Sequence, residues 1–521
     1  MPTERSGLTM KRASVFPSSR TFFALLAIVI LTVALRAPLL NIPLERDEGE
    51  YAYIAYRLDH YELPYRDWFD QKPPGVFWAY RLALALPFDS VFSIHLIAMA
   101  VAAGTGVALF FLARRFFGNF TAMLAALLFT ALSADPAVQG QAANTEIFML
   151  LLTVLANLLV LRLVQEPRGN AIFPFATGLL YGLATMFKQV AGANWLALLA
   201  SVPWLLSPPR RLRGTGSLVL WSIFGIAISW GAVAAFFWFR GAFPDFVYDV
   251  FTHNLRYSTS LPVAERWENL KDTLLPLARS QTVVWIFAGT GLIAAFRRSD
   301  RRLFAFLGAW LLGSLIGVSA SGYYFPHYFQ QLLPPVALLA AFGAQALSQG
   351  FLLVTMPVRG RQIVGATALL ALPCLSLAPF VFFYSPTEAV QHIYPSNSFG
   401  YMQEFARFIK DMTEENDRIY VFGAEPELLF YARRASATRY IFLTPLYGLY
   451  PDAFEKQQAT AREIFMAHPA VVVYRPNGLF FQPGNEQYLT RWTDTFLNQH
   501  YKPMTINASD HRPLELYTLR R

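Results

Sequence analysis

The feature that most limits what this chain can become is a succession of long apolar runs. A helix needs roughly 20 apolar residues to cross a bilayer core. Such runs recur at 21–40, 91–113, 119–134, 145–161, 171–187, 190–206, 217–239, 282–296, 303–320, 328–347 and 363–383. A few are short or broken by Pro or Gly, which membrane helices tolerate where neighbours or a cavity satisfy the freed backbone groups. The first run does not read as a cleavable signal: it is too long, it lacks a small-residue cleavage site before Arg36-Ala37-Pro38, and ten more runs follow. The chain has 521 residues, of which 55% are hydrophobic and 15% charged. A soluble domain carries about 25% charge, so disorder and an ordinary cytosolic enzyme are both excluded. The single cysteine, Cys374, excludes an internal disulfide and a thiolate metal site. The predicted fold class is a polytopic α-helical membrane protein with about eleven transmembrane helices.

The charge is unevenly placed. The net charge is +9, but residues 1–383 hold 29 Lys+Arg against 19 Asp+Glu, while residues 384–521 hold 14 against 15. The arginines lie in short clusters between apolar runs, with no basic, aromatic-interleaved patch, so no nucleic-acid partner is expected. Alternate loops carry Arg5, Lys11, Arg12 and Arg20; Arg114 and Arg115; Arg162 and Arg168; Arg210, Arg211 and Arg213; Arg297, Arg298, Arg301 and Arg302; Arg359 and Arg361. Only Glu4, Glu166 and Asp300 oppose them there. The positive-inside rule makes those loops cytoplasmic. The expected organisation is a cytoplasmic N-terminus over 1–20, a membrane module over 21–383, and a tail over 384–521 on the outer face, in a bacterial inner membrane the periplasm. Two outer loops stand out, 41–90 and 240–281. The tail has soluble composition. Its runs Arg418–Phe422, Tyr440–Leu443, Ala470–Tyr474 and Leu514–Leu519 read as strands, with helices near 398–415 and 452–467, which predicts a small α/β domain.

The first outer loop carries the chemistry. It contains Glu45-Arg46-Asp47-Glu48-Gly49-Glu50-Tyr51, and from Tyr51 the apolar positions 51, 54, 55 and 58 follow helical spacing, as for a helix lying in the interface. Residues 74–87 read as a second such helix. Asp47 and Glu50 have the spacing of the N-cap and N3 of a capping box, a structural reading that competes with a catalytic one. Glu48 neither caps nor fills N3 in that register. Between the helices lies Tyr65-Arg66-Asp67-Trp68-Phe69-Asp70-Gln71-Lys72-Pro73-Pro74. Lys72 is either a snorkelling interfacial lysine or, aimed by the two prolines, a cation held against the carboxylates, able to bind a phosphate while an acid takes a proton. Glu146 opens the fourth run, and Lys188 sits at the turn between the fifth and sixth; charge at a span end is costly unless it is paired or functional. His253-Asn254 and Tyr323-Tyr324-Phe325-Pro326-His327-Tyr328 also fall on the outer side, where an aromatic belt is the alternative reading, and for either histidine taken singly the preferred one.

These residues resemble the GT-C glycosyltransferases, the polytopic group that uses polyprenyl-phosphate sugars, and most of all the aminoarabinose transferases of lipid A and the protein O-mannosyltransferases. Asp47-Glu48 with Tyr51-Ala52 resembles the family's acidic motif, Gln71-Lys72-Pro73-Pro74 its Lys-Pro signature, Glu146 its second carboxylate, and Met186-Phe187-Lys188 its Thr-Lys turn. The resemblance covers about 20–385. It implies that Asp47, with Glu48 beside it, is the catalytic base. It implies that Lys72 and Lys188 hold the donor phosphate, and that Glu50, Tyr51, Gln71, Glu146, His253, Asn254, Tyr324, His327 and Tyr328 line the substrate cavity. The aminoarabinose enzymes have a zinc-ligating Glu where this chain has Gln71, a poor ligand, so no metal is assigned and no cofactor is required. The implied reaction is an inverting transfer from a polyprenyl-phosphate sugar to a lipid A, glycan or protein acceptor of the cell envelope. A transporter or flippase of an envelope lipid or sugar is the main alternative. It calls for mid-membrane ionisable sites and repeated halves, whereas here the charges collect at one edge and no halves repeat.

Overall fold

The structure, a computed structural model, describes residues 19–165, 171–349, 356–448, 450–475, 488–504 and 514–520. The basic residues Arg5, Lys11, Arg12 and Arg168 lie outside the described residues. The chain divides into two compact units, the first comprising Met1–Leu40, His95–Phe236 and Pro262–Tyr384, the second Asn41–Ile94, Phe237–Leu261 and Ser385–Arg521.

The first unit is helical. Seven helices among the described residues are long and apolar enough to cross a bilayer: Ser19–Leu39, Ser90–Ala113, Thr145–Val164, Pro208–Phe239, Arg302–Ser319, Pro326–Ser348 and Val358–Phe382. Asn119–Ser133, Ile172–Thr185 and Ala191–Leu205 are shorter apolar helices. Each of the eleven runs is therefore helical, but 282–296 is only the second half of the 35-residue helix Val263–Arg297. Residues 263–281, read from sequence as loop, are its first half, started by Pro262 at the N-cap and carrying Glu265, Arg266, Glu268 and Lys271 in a polar stretch that hid its helical period. The helices pack tightly where small residues permit. A Cβ on Gly291 would meet the carbonyl of Leu339, and one on Gly343 the carbonyl of Phe287, so Val263–Arg297 and Leu333–Ser348 cross with their backbones in contact. Phe129, Val154, Leu338 and Phe306 are buried in the core, while Phe22, Phe23, Ile286, Ile293, Leu312 and Ile316 point outward. Long helices with apolar outer faces are those of a multi-pass membrane protein. The guanidinium of Arg36 donates to the carbonyls of Gly140 (2.7 Å) and Ser133 (2.5 Å), which folds the 133–140 turn onto the end of the first helix.

The second unit is built around a five-stranded sheet. Its strands are β1 (Arg418–Phe422), β2 (Ala435–Ser436), β3 (Val471–Tyr474), β4 (Tyr501–Met504) and β5 (Glu515–Leu519). The order is β2-β1-β3-β5-β4. β1 runs parallel to β2 and β3, with Ile419 opposite Val471, and β5 runs antiparallel to β3 and β4. Pro503 is accommodated on the edge strand β4, where a missing N–H costs least. Tyr440–Leu443 is not a strand. Ile441 and Leu443 are buried by side-chain packing, and a four-residue apolar run cannot distinguish the two situations. Helices Pro386–Ile393, Phe399–Met412, Pro426–Ala432, Ala453–Ala467 and Tyr488–His500 belong to this unit, as do Arg46–Arg57 and Gly75–Leu84 from the first loop. Arg46–Arg57 lies against Pro426–Ala432 at Gly49, where a Cβ would strike the backbone of Glu427.

Candidate active site

The helix Arg46–Arg57 starts one turn earlier than its apolar spacing indicates. Glu45 is the N-cap and Glu48 is N3, and the two close a capping box: Glu45 accepts from the amides of Asp47 (3.1 Å) and Glu48 (3.4 Å), and Glu48 Oε2 accepts from the amide of Glu45 (3.2 Å). This corrects both capping expectations. Glu48 does fill N3, and Asp47 and Glu50 are not the cap pair, because the box forms on the Glu45–Glu48 spacing and leaves Asp47 free to point elsewhere.

Asp47 points at Lys72. Lys72 Nζ lies 3.2 Å from Asp47 Oδ2 and 5.2 Å from the centre of the Tyr51 ring, and the Tyr51 hydroxyl donates to the same Oδ2 at 3.3 Å. Burial works against the charge on Lys72, but Asp47, then Tyr51, Asp70 and Glu50, outweigh it and hold the ammonium well above its usual range. The side chain of Asp47 is 26% exposed and that of Lys72 15%, so the pair is accessible.

Behind Lys72 sits a carboxyl pair that the sequence reading only half identified. Glu50 and Asp70 are both buried, and each perturbs the other's proton affinity. Burial, reinforced by Asp70, pushes Glu50 well above the carboxylate range; burial raises Asp70 to about 6 against the opposing pull of Lys72. Asp70 Oδ1 accepts the Lys72 amide at 2.7 Å, an Asx-type turn just before the two prolines. The Asp-x-Lys-Pro-Pro spacing was the available signal for Asp70, and the sequence reading passed over it. Gln71 is held through its carbonyl, which accepts from Asn254 Nδ2 at 2.5 Å.

His253 is buried rather than set in an aromatic belt. It packs edge-on against Phe69 and beside Tyr450, its Nδ1 is 3.4 Å from Lys456 Nζ, and burial together with Lys456 pushes it down to about 3. A ring nitrogen facing an ammonium and an amide at Gln71 do not fit a metal ion, and no step is assigned to one. Asp249, Arg439 and Lys456 complete this cluster and carried no signal in the sequence. Burial raises Asp249 to about 8 although Arg439 and Lys456 pull it down.

The first unit holds the remaining candidates. Lys188 is ion-paired with Glu146, whose side chain is wholly buried, and Lys188 Nζ lies 3.3 Å from the centre of the Tyr328 ring. Lys188 is thus engaged with both residues and is not snorkelling freely. His327 is also buried, its Nδ1 2.8 Å from Gln139 Oε1. Tyr324 has a left-handed backbone (φ 49°), and its carbonyl accepts from Thr273 Oγ1 at 2.7 Å. A cavity of about 480 Å³ opens in the second unit, lined by Arg66, Arg418, Arg439, Glu463 and their neighbours, and Asp47 and Lys72 do not line it.

Residues 71–234 match the sequence family described as dolichyl-phosphate-mannose-protein mannosyltransferase. The match includes Lys72, Glu146 and Lys188; Asp47 precedes it. No curated protein sequence matches the chain. Among solved structures, the fold is similar to that of ArnT from Cupriavidus metallidurans bound to undecaprenyl phosphate, at 16% identity over 95% of this chain and 98% of that one, with a TM-score of 0.58. It is also similar to the archaeal oligosaccharyltransferase AglB from Archaeoglobus fulgidus in complex with an inhibitory peptide and a dolichol phosphate (13% identity, 89% of this chain, 70% of that one, TM-score 0.51). A third is the mycobacterial arabinofuranosyltransferase AftD (16% identity, 98% of this chain, 40% of that one, TM-score 0.55). By its fold, this chain is similar to these glycosyltransferases of known structure.

Proposed function

We propose that this protein transfers a sugar from a polyprenyl-phosphate carrier to an acceptor of the bacterial cell envelope, with inversion at the anomeric carbon, on the periplasmic side of the inner membrane. The observation that carries the reading is the accessible Asp47–Lys72 pair: a carboxylate able to take a proton and an ammonium able to hold a phosphate, 3.2 Å apart. Two of the structurally similar proteins were solved with a polyprenyl phosphate or a dolichol phosphate.

In the reaction, an acceptor hydroxyl or amine attacks the anomeric carbon. The bond from that carbon to the phosphate oxygen breaks, and its electron pair stays on the polyprenyl phosphate. The acceptor proton passes to Asp47. Negative charge grows on the leaving phosphate as the bond opens, so Lys72 stabilises the transition state more than the bound substrate. The buried Glu50–Asp70 pair keeps the Lys72 backbone fixed through the 2.7 Å hydrogen bond. Lys188, ion-paired with Glu146 in the first unit, is proposed as a phosphate-binding cation on the resemblance alone.

The test is transfer by the purified protein from a radiolabelled polyprenyl-phosphate sugar, paired with mass spectrometry of surface glycolipids and glycoproteins in a deletion strain. A sugar missing from one envelope component identifies donor and acceptor together. Unchanged glycans with a defect in solute uptake would overturn the reading in favour of transport.

A further inference from the structure

The segment that carries Lys72 has little regular structure of its own. It contains a left-handed residue, Tyr65 (φ 72°), and a single bridge between Pro64 and Trp68. A non-glycine residue in that conformation costs roughly 1–2 kcal/mol and persists only where its surroundings over-determine it. Within the second unit the Tyr65 ring packs against Phe77, Phe237 and Phe246, and Arg439 holds the backbone of the turn. Arg439 Nη2 donates to the carbonyl of Tyr65, and the carbonyl of Arg439 accepts the amide of Phe69 at 3.0 Å. One residue thus grips both ends of the 65–69 turn. Its guanidinium is oriented by Asp249, 3.4 Å away, and Asp245, 3.8 Å away. Beyond the turn, the Tyr65 hydroxyl donates to the carbonyl of Lys72 at 2.8 Å. Contact therefore runs from Arg439 through Tyr65 to the Lys72 backbone.

We propose that Arg439 is a positioning residue for Lys72, which makes the soluble tail a working part of the donor site and not an appendage. This rests on the reading of Lys72 as the donor-phosphate cation. Arginine suits the place because its planar fork can meet a carbonyl and two carboxylates at once, which an ammonium on a flexible stem cannot do.

The test uses the full-length protein, wild type and with Arg439→Met, Arg439→Lys, Lys72→Met and the double change Lys72→Met/Arg439→Met. Undecaprenyl phosphate is the binding probe, and hydrogen exchange is followed across 62–72 and across β1, β3 and β5. Arg439→Met should raise exchange in 65–72 while leaving the sheet protected, and should weaken the probe about tenfold, the scale of one hydrogen bond from a charged group. In the Lys72→Met background the same change should cost nothing more, because both act through one ammonium. Arg439→Lys should restore part of the affinity, and it supplies the same readouts if Arg439→Met does not fold. Unchanged exchange in 65–72, or losses that add in the double variant, would overturn the proposal. If Lys72→Met alone leaves the probe's affinity intact, the donor reading falls, and exchange in 65–72 still decides whether Arg439 holds the turn.

Discussion

Lys72 and Asp47 are 25 residues apart in the chain, and their charged atoms meet at 3.2 Å, with the Tyr51 hydroxyl on the same carboxylate oxygen. The two side chains are assigned different work, so their removal should separate kinetically. Asp47→Asn removes the base and should lower kcat by about 10²–10⁴-fold with little change in donor KM. Lys72→Met should lower kcat by about 10²–10³-fold and raise donor KM as well. Steady-state kinetics with purified proteins checks both; wild-type rates in either would remove the mechanism.

Glu48 neighbours Asp47 yet has a structural task in the capping box with Glu45. Glu48→Ala should cost about 0.5–2 kcal/mol of stability, as lost caps do, and leave kcat within the range of other stability variants. Thermal melts compared with turnover check this. A collapse of kcat at full stability would return Glu48 to the list of catalytic groups.

Asp70 is held at about 6 beside Lys72. Below that pH it is neutral, which removes a negative charge close to the incoming donor. The donor is a phosphodiester with no titration of its own in this range, so donor KM should fall a few-fold as pH drops through 6. Asp70→Asn should make donor KM low and flat with pH. A pH series of KM in wild type and variant is the measurement; parallel profiles would refute the assignment.

Glu427 is fully buried against Gly49, and burial, with Glu425, raises it to about 8. A carboxyl raised in the folded state holds its proton there while the unfolded chain gives it up. Stability should therefore decline from about pH 4.5 to 8 and level off above. Glu427→Gln should reduce that slope and gain on the order of a few kcal/mol at pH 8. Denaturation at pH 5 and pH 8 compares the two.

In the first unit, Glu146 and Lys188 form a pair with one partner wholly buried. Removing either charge alone should destabilise by about 3–5 kcal/mol because the other is left unpaired. Glu146→Gln with Lys188→Met together should cost less than the two single changes added. Melting of all three variants tests the coupling, and strict additivity would contradict it.

What the sequence determined by itself was whatever depends on neighbours along the chain. Hydropathy summed over about 20 residues located the helices of the membrane-spanning unit, and short-range spacing located the Arg46–Arg57 and Gly75–Leu84 helices and the Lys-Pro-Pro turn. The tertiary structure decided which partner each acid meets. It assigned Glu48 to the cap and aimed Asp47 at Lys72. It buried Glu50 with Asp70, and it brought Arg439 to Tyr65 across 374 residues of chain. No window of sequence contains such pairs, because they arise only when distant segments pack and the low-dielectric interior they create sets the protonation of the acids enclosed there.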